Sequence, residues 1–332
     1  MALASTLRRL LPAQPARLAR LLLLGTVALW GATFVLVKSA LADASPMLFN
    51  FLRMALATLV LAAVNWRRLR TVTWAQARAG ALAGFFLAVA YELQTLGLAR
   101  TSPARSAFIT GLVVIFVPAL TLVPRLWPAG TRKPGLPAFC GAFLALTGLF
   151  FLTTPAGTQR STIVAAIGVG DLLTLACAFA FATHLLALAH SATSMAAGVL
   201  ATLQIAACTG FMLLVLPLEL LAPSEHTRLV LTPRLLLTLV VCSVFATAAA
   251  FTVQSFAQQH LLPTQTVLIV TLEPVFAWVT SLLLLGVGLN AAHGAGPHRV
   301  ADHRSLLGAG LMLSGMLAVD LLPRPLQDQV AR

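Results

Sequence analysis

Three ionisable side chains lie inside long apolar stretches of the sequence: Arg53, Glu92 and Glu273. A charged group at the centre of a bilayer costs at least about 2.5 kcal/mol, so such residues mark binding sites or proton pathways. Glu273, directly before Pro274, can hold a proton, bind a cation or pair with a basic substrate. The structural alternative is an ion pair with Arg53 or Arg105, or a carboxyl hydrogen bond to a neighbouring helix.

Neutral polar and aromatic residues extend this set. An amide offers two donors and an acceptor, which suits the orientation of a polar metabolite, but hydrogen bonding between helices explains Gln94 and Gln254 equally well. Trp30 and Tyr91 are candidates for lining a cavity, with packing or interfacial anchoring as the plainer interpretation. The predicted substrate pathway comprises Trp30, Arg53, Tyr91, Glu92, Gln94, Gln254 and Glu273.

Two prolines lie within apolar runs, Pro118 and Pro274. Once the repeats described below are aligned, they are four residues apart, about one helical turn. A proline inside a helix frees a backbone carbonyl, and interruptions in corresponding segments point to the binding site of a transporter. We therefore expect helix interruptions at Pro118 and Pro274.

Signatures of enzymes and cofactors are missing from the sequence. It contains no Gly-x-Ser-x-Gly, no His-Glu-x-x-His and no phosphate-binding glycine loop. His293, His298 and His303 are spaced five apart, but no acidic or cysteine cluster accompanies them, and a solvated loop is the favoured interpretation. The sequence predicts no catalytic residue, no metal site and no cofactor.

Composition decides the class of protein. Of the 332 residues, 59% are hydrophobic and only 9% are charged, with a mean hydropathy of +0.93. A soluble domain carries about 25% charged residues, so this chain is a membrane protein whose first partner is the lipid bilayer. The net charge of +13 would suggest nucleic acid for a soluble protein. In a membrane protein basic loops set orientation instead, and we expect no nucleic-acid partner.

The apolar runs are continuous rather than alternating, which predicts helices and not a barrel. A spanning helix needs about 20 residues. Ten predicted spans lie near residues 21–41, 46–66, 79–98, 103–125, 136–154, 168–188, 195–221, 235–258, 263–287 and 306–322.

Arginines and lysines of the first half set the expected orientation. They concentrate before the first span, between the second and third, and between the fourth and fifth. Basic loops face the cytoplasm, and ten spans return the chain to its starting side. We therefore expect a multi-pass protein of the cell inner membrane with both termini cytoplasmic.

The two halves of the chain are similar to each other. The segment from Tyr91, YELQTLGLARTSPARSAFITGLVVIF, aligns at an offset of 160 with FTVQSFAQQHLLPTQTVLIVTLEPVF from Phe251, which places Gln94 on Gln254. Five helices per half is an odd number, so the second half must enter the membrane from the opposite side. Inverted repeats of this kind are the architecture of many secondary transporters.

Several motifs resemble the drug/metabolite transporter superfamily, EamA type: WGATFVLVK, SPMLFNFLRMALA, LQTLGLARTSPARSAFITGLVVIFVP, GDLLTLACAFAFA and TLEPVFAWVTSLLLLG. The resemblance implies a ten-helix inner-membrane carrier with two EamA repeats that exports metabolites, amino acids or toxic compounds. Members of this family commonly carry Gly-Glu after the ninth helix, where this chain has Val287.

Together these observations predict an all-α membrane protein with ten transmembrane helices in two inverted five-helix repeats. The expected organisation is a cytoplasmic segment over 1–20, a first repeat over 21–154, a linker over 155–167, a second repeat over 168–322 and a cytoplasmic tail over 323–332.

The predicted function is secondary transport of small metabolites, amino acids or drug-like compounds by alternating access. The alternative is a membrane sensor or assembly protein on the same fold. Glycine pairs in the fifth and tenth spans allow close packing, either within the chain or in a homodimer: Gly141 with Gly148, and Gly308 with Gly315.

Overall fold

The computed structural model describes residues 15–98, 100–101, 103–123, 134–153, 168–221, 228–286 and 303–321. Within these ranges the chain is almost entirely helical. The helices are α1 Pro15–Ala40, α2 Pro46–Leu69, α3 Trp74–Leu98, α4a Pro103–Thr110, α4b Val113–Leu120, α5 Leu136–Thr153, α6 Val169–Ala192, α7 Ala197–Leu221, α8 Pro233–His260, α9a Pro263–Val270, α9b Glu273–Gly286 and α10 His303–Leu321.

A helix occupies each of the ten predicted spans, with α4 and α9 each built from two consecutive segments. Seven of the described helices contain a stretch long and apolar enough to cross a membrane unaided. The first helix begins at Pro15, earlier than the predicted start at residue 21. Of the histidine loop, His293 and His298 lie outside the described residues, and His303 begins α10.

Prolines begin many of these helices because the first turn of a helix needs no N–H donor there. Pro46, Pro233 and Pro263 all occupy first-turn positions. At α8 the hydroxyl of Thr232 also accepts a hydrogen bond from the Leu235 N–H at 3.1 Å, which caps the helix. Local sequence therefore sets the helix starts independently of the membrane.

Contacts between helices come in matched pairs: when each helix is replaced by its equivalent in the other repeat, the contact is found again. The packing of α3 on α6 matches that of α8 on α1, and α3 on α7 matches α8 on α2. The packing of α4 on α6 likewise matches that of α9 on α1, while α2–α7 and α5–α10 are their own counterparts. This exchange, with five helices per half, is the geometry of an inverted repeat, as predicted.

One hydrogen bond joins residues that the repeat makes equivalent. Thr58 Oγ1 on α2 lies 2.9 Å from Thr209 Oγ1 on α7, at a sequence separation of 151 residues. The same offset places Arg53 on Gln204 and Trp30 on Phe181. The Thr58–Thr209 contact therefore marks the pseudo-two-fold axis, and it extends the repeat to the helices where sequence similarity is faint.

The glycines of α5 and α10 bring these two helices into backbone contact. A Cβ on Gly308 would lie 2.7 Å from the Gly148 carbonyl oxygen, and one on Gly315 would lie 2.6 Å from that of Gly141. Only glycine permits such an approach. These four glycines therefore pack within the chain, and the homodimer stays a prediction.

Helices α4 and α9 are interrupted at equivalent places. The Leu112 N–H donates to the Ile109 carbonyl at 3.1 Å, and the Leu272 N–H donates to the Ile269 carbonyl at 3.1 Å. In both bonds the donor follows the acceptor by three residues, as in a tight turn, and not by the four residues of an α-helix. The interruption therefore repeats at an offset of 160 residues, near the middle of each span.

The prolines stand at different distances from these interruptions. Pro274 lies in the first turn of α9b, directly after the break, where its missing N–H is tolerated. Pro118 lies inside α4b, several residues beyond the break at Gly111 and Leu112. The interruption in α4 therefore lies at Gly111 and Leu112 and not at Pro118.

Candidate functional site

A π-helical turn in α8 supplies the central acceptor of the site. Residues Val244–Ala249 form this turn, whereas the equivalent helix α3 is α-helical throughout. The Ala250 N–H donates to the carbonyls of Phe245 and Thr247 instead of that of Ala246. The Ala246 carbonyl is therefore released from its usual backbone bond and can accept side-chain donors.

Two side chains of the first repeat use this carbonyl. Trp30 Nε1 on α1 donates to the Ala246 oxygen at 2.8 Å, and an Arg53 terminal nitrogen on α2 donates to it at 3.2 Å. Arg53 Nε also donates to Thr247 Oγ1 at 2.7 Å. The π turn thus holds the Arg53 guanidinium at a fixed place between the repeats.

Arg53 is buried, with only 8% of its surface exposed, and its guanidinium lies 5.8 Å from the centroid of the Tyr91 ring. Its hydrogen-bond acceptors are a hydroxyl and a carbonyl, both neutral. Among the residues that the structure describes, no carboxylate lies within ion-pair distance of it. The ion pair of Arg53 with Glu273 considered from sequence is therefore not formed, and the side chain of Arg105 lies outside the description.

Glu273 is the first residue of α9b, at the interruption, and its backbone carbonyl faces Gly31 of α1. The Tyr91 hydroxyl lies within the electrostatic reach of both Arg53 and Glu273. Trp30, Tyr91 and Glu273 each keep partly accessible surface, although they lie near mid-span and face neighbouring helices. These three residues therefore remain candidates for lining a substrate pathway.

The remaining predicted residues lie near this centre without a demonstrated role. Glu92 follows Tyr91 on α3 and is buried, while Gln94 is half-buried one turn closer to the end of that helix. Gln254 on α8 is 4% exposed, and its Oε1 accepts no hydrogen bond from the described part of the chain. Gln94 and Gln254 therefore occupy equivalent positions of the two repeats but differ in how deeply they are buried.

A second polar network lies in the other repeat and was not predicted. His184 Nε2 on α6 lies 2.9 Å from Gln204 Oε1 on α7, and Gln204 Nε2 donates to Ser255 Oγ on α8 at 3.1 Å. All three side chains are buried. The offset of 151 residues that relates Thr58 to Thr209 also relates Arg53 to Gln204, and this was the signal that could have found the network.

Aromatic pairs show the same relation between the two networks. Trp30 packs on Phe251 with ring centroids 5.8 Å apart, and the equivalent pair, Phe181 on Tyr91, has centroids 5.7 Å apart. The centre of the protein thus contains two related polar sites flanked by aromatic rings. One carries a cation, Arg53, and the other carries a neutral amide, Gln204.

On one face of the bundle the two repeats are joined by a contact, here termed the inter-repeat clasp. It joins residues 43–45, between α1 and α2, to residues 228–234, at the start of α8. Ala44 and Leu229 form an antiparallel bridge, with the Ser45 N–H on the Arg228 carbonyl at 2.9 Å and the Val230 N–H on the Asp43 carbonyl at 2.7 Å.

Side chains reinforce the inter-repeat clasp. Thr232 Oγ1 donates to Asp43 Oδ2 at 2.7 Å, and the Arg234 guanidinium contacts both carboxylate oxygens at 2.8 to 3.0 Å. The Thr232 hydrogen bond, followed by that of Arg234, holds the pKa of Asp43 below its usual value of 3.8. The carboxylate is therefore ionised throughout the neutral range.

Comparison with known proteins agrees with this architecture. A model of the EamA-like transporter family matches residues 17–154 and 168–296. An uncharacterized transporter from Archaeoglobus fulgidus is 28% identical over 257 residues, which cover 77% of this chain and 75% of that protein.

A protein of known crystal structure has the same fold. It superposes with a TM-score of 0.68 at 18% identity, over 93% of this chain and 99% of that one. The chain therefore belongs to the EamA-like transporter family of the drug/metabolite transporter superfamily, and it is a multi-pass membrane transporter rather than an enzyme.

Proposed function

We propose that this protein is a secondary transporter of the inner membrane that exports small metabolites, amino acids or drug-like compounds by alternating access. Its substrate passes between the two repeats, through the space bordered by Trp30, Arg53, Tyr91 and Glu273. Glu92, Gln94 and Gln254 lie farther along the same pathway.

The observation that carries this proposal is the matched interruption of α4 and α9. Broken helices at corresponding places of inverted repeats form the midplane sites of many secondary transporters. Here one of the breaks holds an ionisable residue, Glu273, within the electrostatic influence of the buried Arg53. A purely structural duplication would not need either feature.

The unequal faces of the bundle support alternating access. The inter-repeat clasp seals one face with a bidentate ion pair and two backbone hydrogen bonds. On the opposite face, an exposed hydrogen bond from Gln76 Nε2 to the Ser194 carbonyl, 3.0 Å long, also connects the repeats. A rocking motion that breaks the inter-repeat clasp and tightens the other face would expose the site to each side in turn.

We assign the clasped face to the periplasm, because basic residues concentrate on the opposite side of the first repeat. Both termini are then cytoplasmic, with the two repeats over 21–154 and 168–322 joined by the linker 155–167. A reporter fused after Arg332 should be active only in the cytoplasm, and periplasmic activity would refute the assignment.

Transport is tested with the purified full chain in proteoliposomes. A panel of amino acids, nucleosides, cationic drugs and small organic anions is offered with and without an imposed pH gradient. We expect accumulation of at least one class above empty liposomes, and its loss in Arg53→Gln. Arg67→Gln is the matched control, because Arg67 is an exposed arginine on the same helix.

A sensor or assembly protein on this fold would move no substrate. If no compound accumulates while the protein is folded and correctly inserted, the transport proposal is wrong. If Arg67→Gln abolishes flux as fully as Arg53→Gln, the assigned site is wrong.

A further inference from the structure

Among the described residues, no carboxylate lies within ion-pair distance of the Arg53 guanidinium. A guanidinium carries five N–H donors in a planar fork. Two of them reach Thr247 and Ala246, and no acceptor among the described residues engages the other three. Burying an arginine without a carboxylate is costly, so an acceptor from a bound ligand would stabilise the remaining donors.

The fold does not require this charge. The pseudo-symmetric position in the second repeat is Gln204, which is fully buried. Its amide is hydrogen-bonded on both sides, to His184 at 2.9 Å and to Ser255 at 3.1 Å. A neutral side chain therefore fulfils the structural task at this place between α2 and α7, and the cation at Arg53 needs another explanation.

The surroundings of Arg53 suit the apolar body of a ligand. The Tyr91 ring lies 5.8 Å from the guanidinium, and Trp30 shares its acceptor, the Ala246 carbonyl. Both rings are only partly buried. Glu273 borders the same space, and Glu92 follows Tyr91 on α3. Because these carboxylates would repel an anion, a negative group can bind only where it contacts the guanidinium directly.

We propose that the site selects organic anions, with a carboxylate or phosphate group on the free edge of Arg53 and an apolar body against Trp30 and Tyr91. This inference rests on the proposed transport function, whose substrate class it narrows. A guanidinium fork binds either anion through two parallel hydrogen bonds, which gives direction as well as affinity. The anion would replace the missing charge partner, and its departure would leave the guanidinium exposed to the next anion.

Binding is measured by thermal unfolding of the purified full chain in detergent, with three probes that share a phenyl ring. They are 3-phenylpropionate, phenyl phosphate and the neutral 3-phenylpropanamide. A ligand that binds only the folded protein raises the melting temperature. We expect the carboxylate, the phosphate or both to stabilise the protein, and the amide to require a concentration about tenfold higher or more for the same shift.

Variants connect the effect to Arg53. Arg53→Gln should abolish the preference for the anions over the amide, and Arg53→Lys should retain part of it because the charge remains. Arg67→Gln should behave as wild type. If Arg53→Gln is too unstable to purify, the comparison of the anions with the amide on the wild-type protein remains decisive.

Equal stabilisation by the amide and the anions would overturn the inference, as would an anion preference that survives in Arg53→Gln. Failure of this inference can be distinguished from failure of the transport proposal. Proteoliposomes that accumulate neutral or cationic compounds, without preference for anions, would retain the function and reject this substrate class.

Discussion

At the scale of single residues, the site depends on a backbone atom that side-chain patterns do not reveal. The sequence indicated Trp30, Arg53, Tyr91 and Glu273 because ionisable and aromatic residues stand out in apolar helices. In the structure Trp30 and Arg53 share the Ala246 carbonyl, and the Arg53 guanidinium lies beside the Tyr91 ring. The Ala246 carbonyl that holds two of them was missed, since a π turn within an alanine-rich stretch has no distinctive residue pattern.

Other residues escaped prediction because their role depends on the partner helix. His184, Gln204 and Ser255 are ordinary polar residues in sequence, and only packing brings them within hydrogen-bond distance. Conversely, Gln94 and Gln254 were predicted as an equivalent pair. Burial differs between them, because Gln254 is nearly inaccessible whereas Gln94 is half-buried.

Glu273→Gln tests whether the carboxyl at the break couples transport to a gradient. Glutamine keeps the shape and the hydrogen bonding of the side chain but cannot titrate. We expect the variant to fold and insert normally and to lose gradient-driven flux, while substrate exchange without a gradient continues. Gradient-driven flux equal to that of wild type, at equal expression and over the same pH range, would limit Glu273 to a structural role.

At the scale of helices, hydropathy and helix-start signals predicted most of the architecture. Continuous apolar runs of about 20 residues leave little freedom in a bilayer, because every backbone polar group must be satisfied within its own helix. The interruption in α4 was expected at Pro118 but lies at Gly111 and Leu112. The position of such an interruption depends on contacts with neighbouring helices, and the sequence of one span does not show these contacts.

The contact of α5 with α10 offers a test at this scale. In Gly308→Leu the new side chain meets the Gly148 carbonyl and the Leu152 N–H at 2.7 and 2.8 Å from its Cβ. We expect the free energy of unfolding to fall by about 3 kcal/mol, the upper end for overpacking, because backbone cannot move aside easily. Unfolding in detergent provides the measurement.

Gly310→Leu is the matched control on the same helix, because nothing lies within 4 Å of a Cβ at that position. It should leave stability nearly unchanged. Equal destabilisation by both substitutions would mean that α10 tolerates leucine nowhere and that the α5–α10 contact is not the reason.

The inter-repeat clasp has a predictable dependence on pH. The hydrogen bonds of the inter-repeat clasp lower the pKa of Asp43. The ionised Asp43 carboxylate therefore contributes fully to stability above pH 3.8, and this contribution disappears as the pH falls through the lowered pKa. The difference in melting temperature between wild type and Asp43→Asn should therefore stay constant between about pH 5 and 8. A difference that shrinks between about pH 7 and 5 would contradict this assignment.

At the scale of the whole molecule, the repeat explains why the protein contains two related polar sites of different chemistry. The inverted repeat makes Arg53 equivalent to Gln204 and Tyr91 equivalent to Phe251. The sequence showed this symmetry in the later helices of each half. In the earlier helices it became evident from contacts such as Thr58 with Thr209.

Alternating access requires that the clasped face open during transport, and this can be prevented covalently. Ala44 and Leu229 form the non-hydrogen-bonded pair of an antiparallel bridge, where side chains approach closely and a disulfide fits. Cysteines are introduced at both positions after the four native cysteines, Cys140, Cys177, Cys208 and Cys242, have been replaced.

Transport by this double variant is measured in proteoliposomes before and after oxidation, which tests whether the two repeats must separate at the inter-repeat clasp. We expect oxidation to stop transport and a reducing agent to restore it, while each single-cysteine variant is unaffected. Full transport by the cross-linked protein would show that the clasped face need not open, and alternating access between the two repeats would be contradicted.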